Sequence, residues 1–200
     1  MIKITKQKIS AIVGSTLAVA LITSPAMVSA AFSPANTTIN ATLDSVISIS
    51  TGTTVAIAVT PTAGGVVSSQ SDTVSVSTNN TAGYRLTLSD ADTNVNLVSG
   101  ANNIAAHNGT FASPTVLAGN SWGYAVAGGN FSASYAAEPS NPSSTSKWAG
   151  VPSSASPQQL KTTAATASGD QTVVWYGVRA TSAQAAGVYS DTVTYTATTN

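Results

Sequence analysis

The stretch DTVSVSTNNTAGYRLTL, residues 72–88, decides the fold class of this chain. Val74 and Val76 alternate with Thr and Ser, then Tyr84, Leu86 and Leu88 alternate with Arg and Thr, and a period of two is that of a half-buried β-strand. Between the two runs lie Asn79, Asn80, Thr81, Ala82 and Gly83, residue types that favour turns. This spacing predicts a β-hairpin.

Outward from that segment the same period recurs. Upstream, Ile39, Ala41, Leu43, Ile47 and Ile49 fall on odd positions, followed after a turn at residues 51–53 by Val55, Ile57 and Val59, with Pro61 as a stop. Gly64 and Gly65 open a loop. Downstream, Val95 and Leu97 suggest a short strand, Asn102-Asn103 and Asn108-Gly109 mark turns, and Trp122, Tyr124 and Val126 alternate again. Two further strands are expected over residues 172–178 and 188–197.

Residues 127–170 break the pattern with Gly, Ser, Ala and four prolines, which predicts a long irregular connection with a helical turn at most over residues 158–161. About eight turn-separated strands with no helical period imply an all-β fold, a single Ig-like or pilin-like antiparallel β-sandwich over residues 31–200. No fixed-period repeat argues for a propeller or solenoid.

The first thirty residues read as a cleaved secretory signal peptide. Lys3, Lys6 and Lys8 form a basic start, residues 9–22 an apolar run, and Val28-Ser29-Ala30 a small-residue site, so cleavage is expected between Ala30 and Ala31. The run is shorter than the roughly twenty residues a bilayer requires, so no transmembrane segment is expected after cleavage. No cysteine stands ready for a lipid anchor. The expected destination is the cell surface or the extracellular medium.

Loss of the leader takes three of seven basic residues and leaves four against seven acidic ones. A weakly acidic chain whose Arg85, Lys147, Lys161 and Arg179 are scattered does not suit nucleic acid, which needs a basic patch. The hydrophobic fraction of 42% separates it from a disordered chain.

Residues 77–84 (STNNTAGY), 120–124 (NSWGY) and 186–197 (AGVYSDTVTYTA) resemble an uncharacterised family of secreted bacterial surface β-proteins. The last piece is also similar to the closing strand of WxL-type cell-wall-binding domains and of spore-coat-U-like pilins. The Trp-x-Leu motifs of the WxL group are absent, since Trp122, Trp148 and Trp175 are followed by Gly-Tyr, Ala-Gly and Tyr-Gly. The resemblance implies an exported location and a β architecture, with no activity attached.

Catalytic patterns do not assemble. Gly119-Asn-Ser-Trp-Gly123 matches the letters of a nucleophile elbow, but that motif needs a following helix and a downstream histidine, and the single histidine, His107, lies upstream. His107 is read as a surface residue. Asp90-Ala-Asp-Thr-Asn94 begins like a calcium loop, yet Val95 replaces the glycine and no glutamate stands at the twelfth position, so a polar turn with Asp and Asn capping backbone donors is expected. Lys147 and Lys161 fall in the irregular stretch, away from any buried Lys-to-Asn isopeptide crosslink. No cofactor or metal is expected.

Trp148, with Tyr135 and Lys147, is the candidate binding cluster, because aromatic rings on loops stack on sugars or anchor a protein. The alternative for Trp148 is a plug at the edge of the sandwich. Two functions follow as expectations. One is a non-catalytic structural or adhesive surface protein, a filament subunit assembled by strand addition in its sharper form, with itself or other surface proteins as partners. The other is a carbohydrate-binding module directed at envelope glycans.

Overall fold

The computed structural model describes residues 31–126, 135 and 146–200. The expected leader, and residues 127–134 and 136–145 of the expected irregular connection, lie outside the described residues. The chain falls into two units, Met1–Ala41 and Thr42–Asn200. In the first, residues 31–41 are exposed and enter no regular element.

The second unit is built from strands: β1 (Ile47–Ser50), β2 (Val66–Thr78), β3 (Tyr84–Asp90), β4 (Leu97–Ser99), β5 (Asn102–Ala106), β6 (Thr115–Val116), β7 (Ser121–Val126), β8 (Lys147–Trp148), β9 (Gln158–Thr162), β10 (Ala167–Ala180) and β11 (Val193–Thr199). A six-stranded sheet runs β1-β2-β10-β7-β5-β4, a three-stranded sheet β11-β3-β9, and β6 pairs with β8. Pairing is antiparallel except between β5 and β7. The all-β reading of the sequence therefore holds.

The expected hairpin does not form. Both strands are present, but β2 pairs with β1 and β10 while β3 pairs with β11 and β9. Val74 and Val76 on one side and Tyr84, Leu86 and Leu88 on the other are all fully buried in one core cluster. Two apolar faces that must both be covered are served by an arch that carries the chain between sheets, where a hairpin would set them side by side.

The arch is held by its own turn residues. Gly83 adopts φ +84°, and a Cβ there would lie 2.3 Å from Thr163 O, so glycine alone fits. Asn80 Nδ2 donates to Gly83 O at 3.0 Å, and Asn79 takes Val46 N and gives to Asp44 O. Against it rests a second crossing, residues 163–166, which joins β9 of the three-stranded sheet to β10 of the six-stranded one. Asn200 Nδ2 reaches Thr163 O at 2.7 Å and Ala82 O at 3.2 Å, tying both arches together.

Other expectations need correction. Only Ile47–Ser50 of the first predicted strand is paired, and Ile39 and Leu43 are 88% and 82% exposed. Residues 55–59 keep the alternating burial, with Val55, Ile57 and Val59 packed on the core, but enter no ladder. Where the chain leaves β1, the Asp72 carboxylate of β2 accepts from the Thr51 hydroxyl and from Gly52 N, side-chain bonds standing where backbone pairing ends.

Asn102-Asn103, expected as a turn, opens β5, because Gly100 at φ +59° makes the turn two residues earlier. Residues 158–161, expected as a helical turn at most, are strand β9, with Leu160 turned into the core between exposed or half-buried neighbours. The region 127–170 thus carries β8, β9 and the start of β10 in its described part. Pro152 and Pro157 lie between β8 and β9.

Candidate functional site

Two of the three residues nominated for binding go into the protein. Trp148 is fully buried, and its ring lies so close over Gly177 of β10 that a Cβ there would sit 2.6–2.7 Å from the indole carbons. Its Nε1 is buried without a partner. Tyr135 is also buried, donating its hydroxyl to Phe111 O at 2.9 Å with its ring 5.6 Å from that of Phe111. Lys147, the third member, is exposed on β8. Trp148 and Tyr135 are core groups in the structure, so neither of these two rings faces solvent.

The segment around Trp148 is fixed by backbone pairing that sequence periodicity does not show. Tyr124 and Ala149 exchange both main-chain bonds at 2.8 Å. Gly123 and Gly150 permit close approach, since a Cβ at Gly150 would fall 1.9 Å from His107 O. His107, expected at the surface, is half-buried and pairs its Nε2 with Thr115 Oγ1 at 2.8 Å. Burial lowers its titration below the ordinary histidine value, only partly offset by the Thr115 backbone.

The nucleophile-elbow letters make a turn into strand β7. Gly119 has φ +62°, and Ser121 is buried with its hydroxyl donating to Ala118 O at 2.9 Å. Among the described residues, no group of three or more His, Cys, Asp or Glu is placed to hold a metal ion. No helix among them is long and apolar enough to cross a membrane.

The polar cluster that does assemble links the two sheets. Lys161 Nζ lies 2.7 Å from Asp170 Oδ1, and Tyr84 Oη donates to Asp170 Oδ2 at 2.7 Å. Lys161 is on β9, not in an irregular stretch, and Asp170 follows the register shift near the start of β10, where Gly169 takes φ +63°. Burial works to raise the Asp170 carboxyl, but the bonds from Lys161 and Tyr84 outweigh it and hold it below the usual range. An ionised carboxylate beside an ammonium is an ion pair; amide formation would need a neutral amine. Tyr84 is pushed well above an ordinary phenol by burial first and by Asp170 second.

The Asp90–Asn94 turn caps itself as expected: Asp92 N donates to Asp90 Oδ1 at 2.8 Å and Asn94 N to Asp92 Oδ1 at 2.6 Å. Sequence reasoning did not bring Asp191 to this place. Its only local signal was an acid standing two residues before the last strand.

A cleft of about 450 Å³ lies beside β9, lined by Phe111, Gln159, Leu160, Lys161, Thr162 and Thr163. Phe111 is half-buried and stacks toward Tyr124 at 6.4 Å. Comparison with protein-family models, with curated proteins and with solved structures found no match to this chain.

Proposed function

We propose that this chain is a non-catalytic, exported surface protein with a structural or adhesive role, and that its unpaired N-terminal arm assembles copies by strand addition. In this reading the two sheets form a pilin-like or Ig-like sandwich and the leader ends at Ala30. The observation that carries it is the arm itself. Phe32, Ile39 and Leu43 are 89%, 88% and 82% exposed, with Ile39, Ala41 and Leu43 at strand spacing.

An alternating apolar segment without a ladder offers both backbone donors and side-chain knobs to an open sheet edge. Electron microscopy of the purified mature chain tests this: fibres or rods are expected, and deletion of residues 31–41 abolishes them while export continues. Monodisperse particles from the intact chain, or polymers surviving the deletion, overturn it.

The carbohydrate reading has one supporting observation, the cleft beside β9 with Phe111 on its wall. It moves the sugar-binding face away from Trp148. Glycan binding lost in Phe111→Ala would favour it; a blank glycan array would dismiss it.

A further inference from the structure

Two carboxyl groups meet at the seam between β3 and β11. Asp90 ends β3 and is 1% exposed; Asp191 stands two residues before β11, whose first residue, Val193, pairs with Asp90. The main-chain bond from Ala91 N to Thr192 O, 2.9 Å, draws the two together. Each carboxyl spends one oxygen locally. Asp90 Oδ1 accepts from Asp92 N at 2.8 Å, and Asp191 Oδ1 from Thr192 N at 2.7 Å.

The remaining oxygen of each, Oδ2, is buried and meets no donor. By the β3–β11 register Asp191 stands diagonally across from Asp90 on the same face, and Asp90 is among the neighbours that raise the Asp191 carboxyl. Carboxylates only accept, so adjacent acceptor oxygens satisfy each other only when one of them carries a proton. The charged group that faces the pair is Asp92, which adds negative charge. Residues 150–156, laid across the site by Asp90 N to Pro152 O at 2.7 Å and Ser154 N to Asp92 O at 2.9 Å, bring no ionisable side chain. Tyr189, on the approach to β11, turns its hydroxyl to Ala185 O. The described Lys–Asp ion pair is the separate one between Lys161 and Asp170.

We propose that Asp90 and Asp191 share a single proton between their Oδ2 atoms, and that this proton latches β11 onto β3. Burial first, then the neighbouring Asp90 and Asp92, pushes the Asp191 carboxyl up to about 7. Because the folded value lies above the unfolded one, the latch contributes its full stability below about pH 4 and loses it as pH rises through about 7. β11 has β3 as its one ladder partner, so two repelling carboxylates at this end loosen the whole strand.

The test compares thermal unfolding of the full chain and its Asp191→Asn variant from pH 5.5 to 8.5. The wild-type midpoint is expected to fall by roughly 5 °C or more across that range. In Asp191→Asn, whose amide donates to Asp90 without ionising, it stays level. Parallel curves for the two chains overturn the proposal. So does a rise in the wild-type midpoint with millimolar calcium chloride at pH 8 that the variant lacks, since a cation would then occupy the pair. Should the variant fail to fold, carboxyl carbon NMR of the wild type decides: a resonance of Asp90 or Asp191 titrating near neutrality supports the shared proton, and both unchanged between pH 5.5 and 8.5 refutes it.

Discussion

The hydroxyls of Tyr176 and Tyr195 lie 2.7 Å apart, one from β10 of the six-stranded sheet and the other from β11 of the three-stranded sheet. Each tyrosine is shifted to titrate above an ordinary phenol, with burial as the leading cause. The bond is thus a polar tie inside an apolar seam. Tyr195→Phe leaves the Tyr176 hydroxyl unpaired and is expected to cost about 1–2 kcal/mol by urea unfolding. Tyr176→Phe/Tyr195→Phe together should cost less than the two single changes summed, because the second removes a group already stranded.

Lys161 and Asp170 set a second tie, with the opposite response to pH from the Asp90–Asp191 pair. The Asp170 carboxyl is held below its unfolded value, so its contribution is present above about pH 4 and is lost as pH falls below that. Asp170→Asn is expected to be less stable than wild type at pH 7 by about 1 kcal/mol, with a gap that narrows on acidification. Equilibrium unfolding at pH 3 and pH 7 measures it; a gap that widens in acid would contradict the pairing.

Trp148 supports the fold from within. Trp148→Ala is expected to destabilise by about 3–5 kcal/mol, as truncation of a buried indole leaves a cavity. Gly177→Ala pushes a methyl into that same ring and is expected to cost about 1–3 kcal/mol. Denaturant titration of both variants gives the values, and a Trp148→Ala chain as stable as wild type would show that the ring is not packed as described.

Gly83→Ala tests the arch. The left-handed backbone at φ +84° and the clash with Thr163 O act together, so the loss should exceed the about 1 kcal/mol of a simple Gly-to-Ala turn penalty. Gly64→Ala, where the added methyl meets nothing within 4 Å, serves as the control and should change stability little.

The strands were legible in the sequence because alternation reports which side of a residue is buried. Val74, Val76, Tyr84, Leu86 and Leu88 fall on the core as their spacing requires; Trp122, Tyr124 and Val126 are buried too, but in β7 the residues between them are buried as well. Partnership was not legible. Residues 55–59 carry the same burial period as a paired strand yet enter no ladder, and the bonds from Thr51 and Gly52 to Asp72 just before them show in no local pattern.

The same holds for the polar ties. Lys161 and Asp170 are nine residues apart yet belong to different sheets, and Asp90 and Asp191 are joined only by the β3–β11 ladder. Trp148 was nominated for binding because its Ser- and Pro-rich neighbours suggested a surface loop, with a plug at the sandwich edge as the alternative; the structure buries it, Gly177 and Gly123 leaving room for it and its strand against β10 and β7.

The two longest strands, β2 and β10, pair along almost their whole length although β10 begins at residue 167 and β2 ends at residue 78. Closing so long an intervening loop is slow, and the central ladder has no earlier substitute. A ribosome must therefore finish most of the polypeptide before the middle of the large sheet can begin to zip.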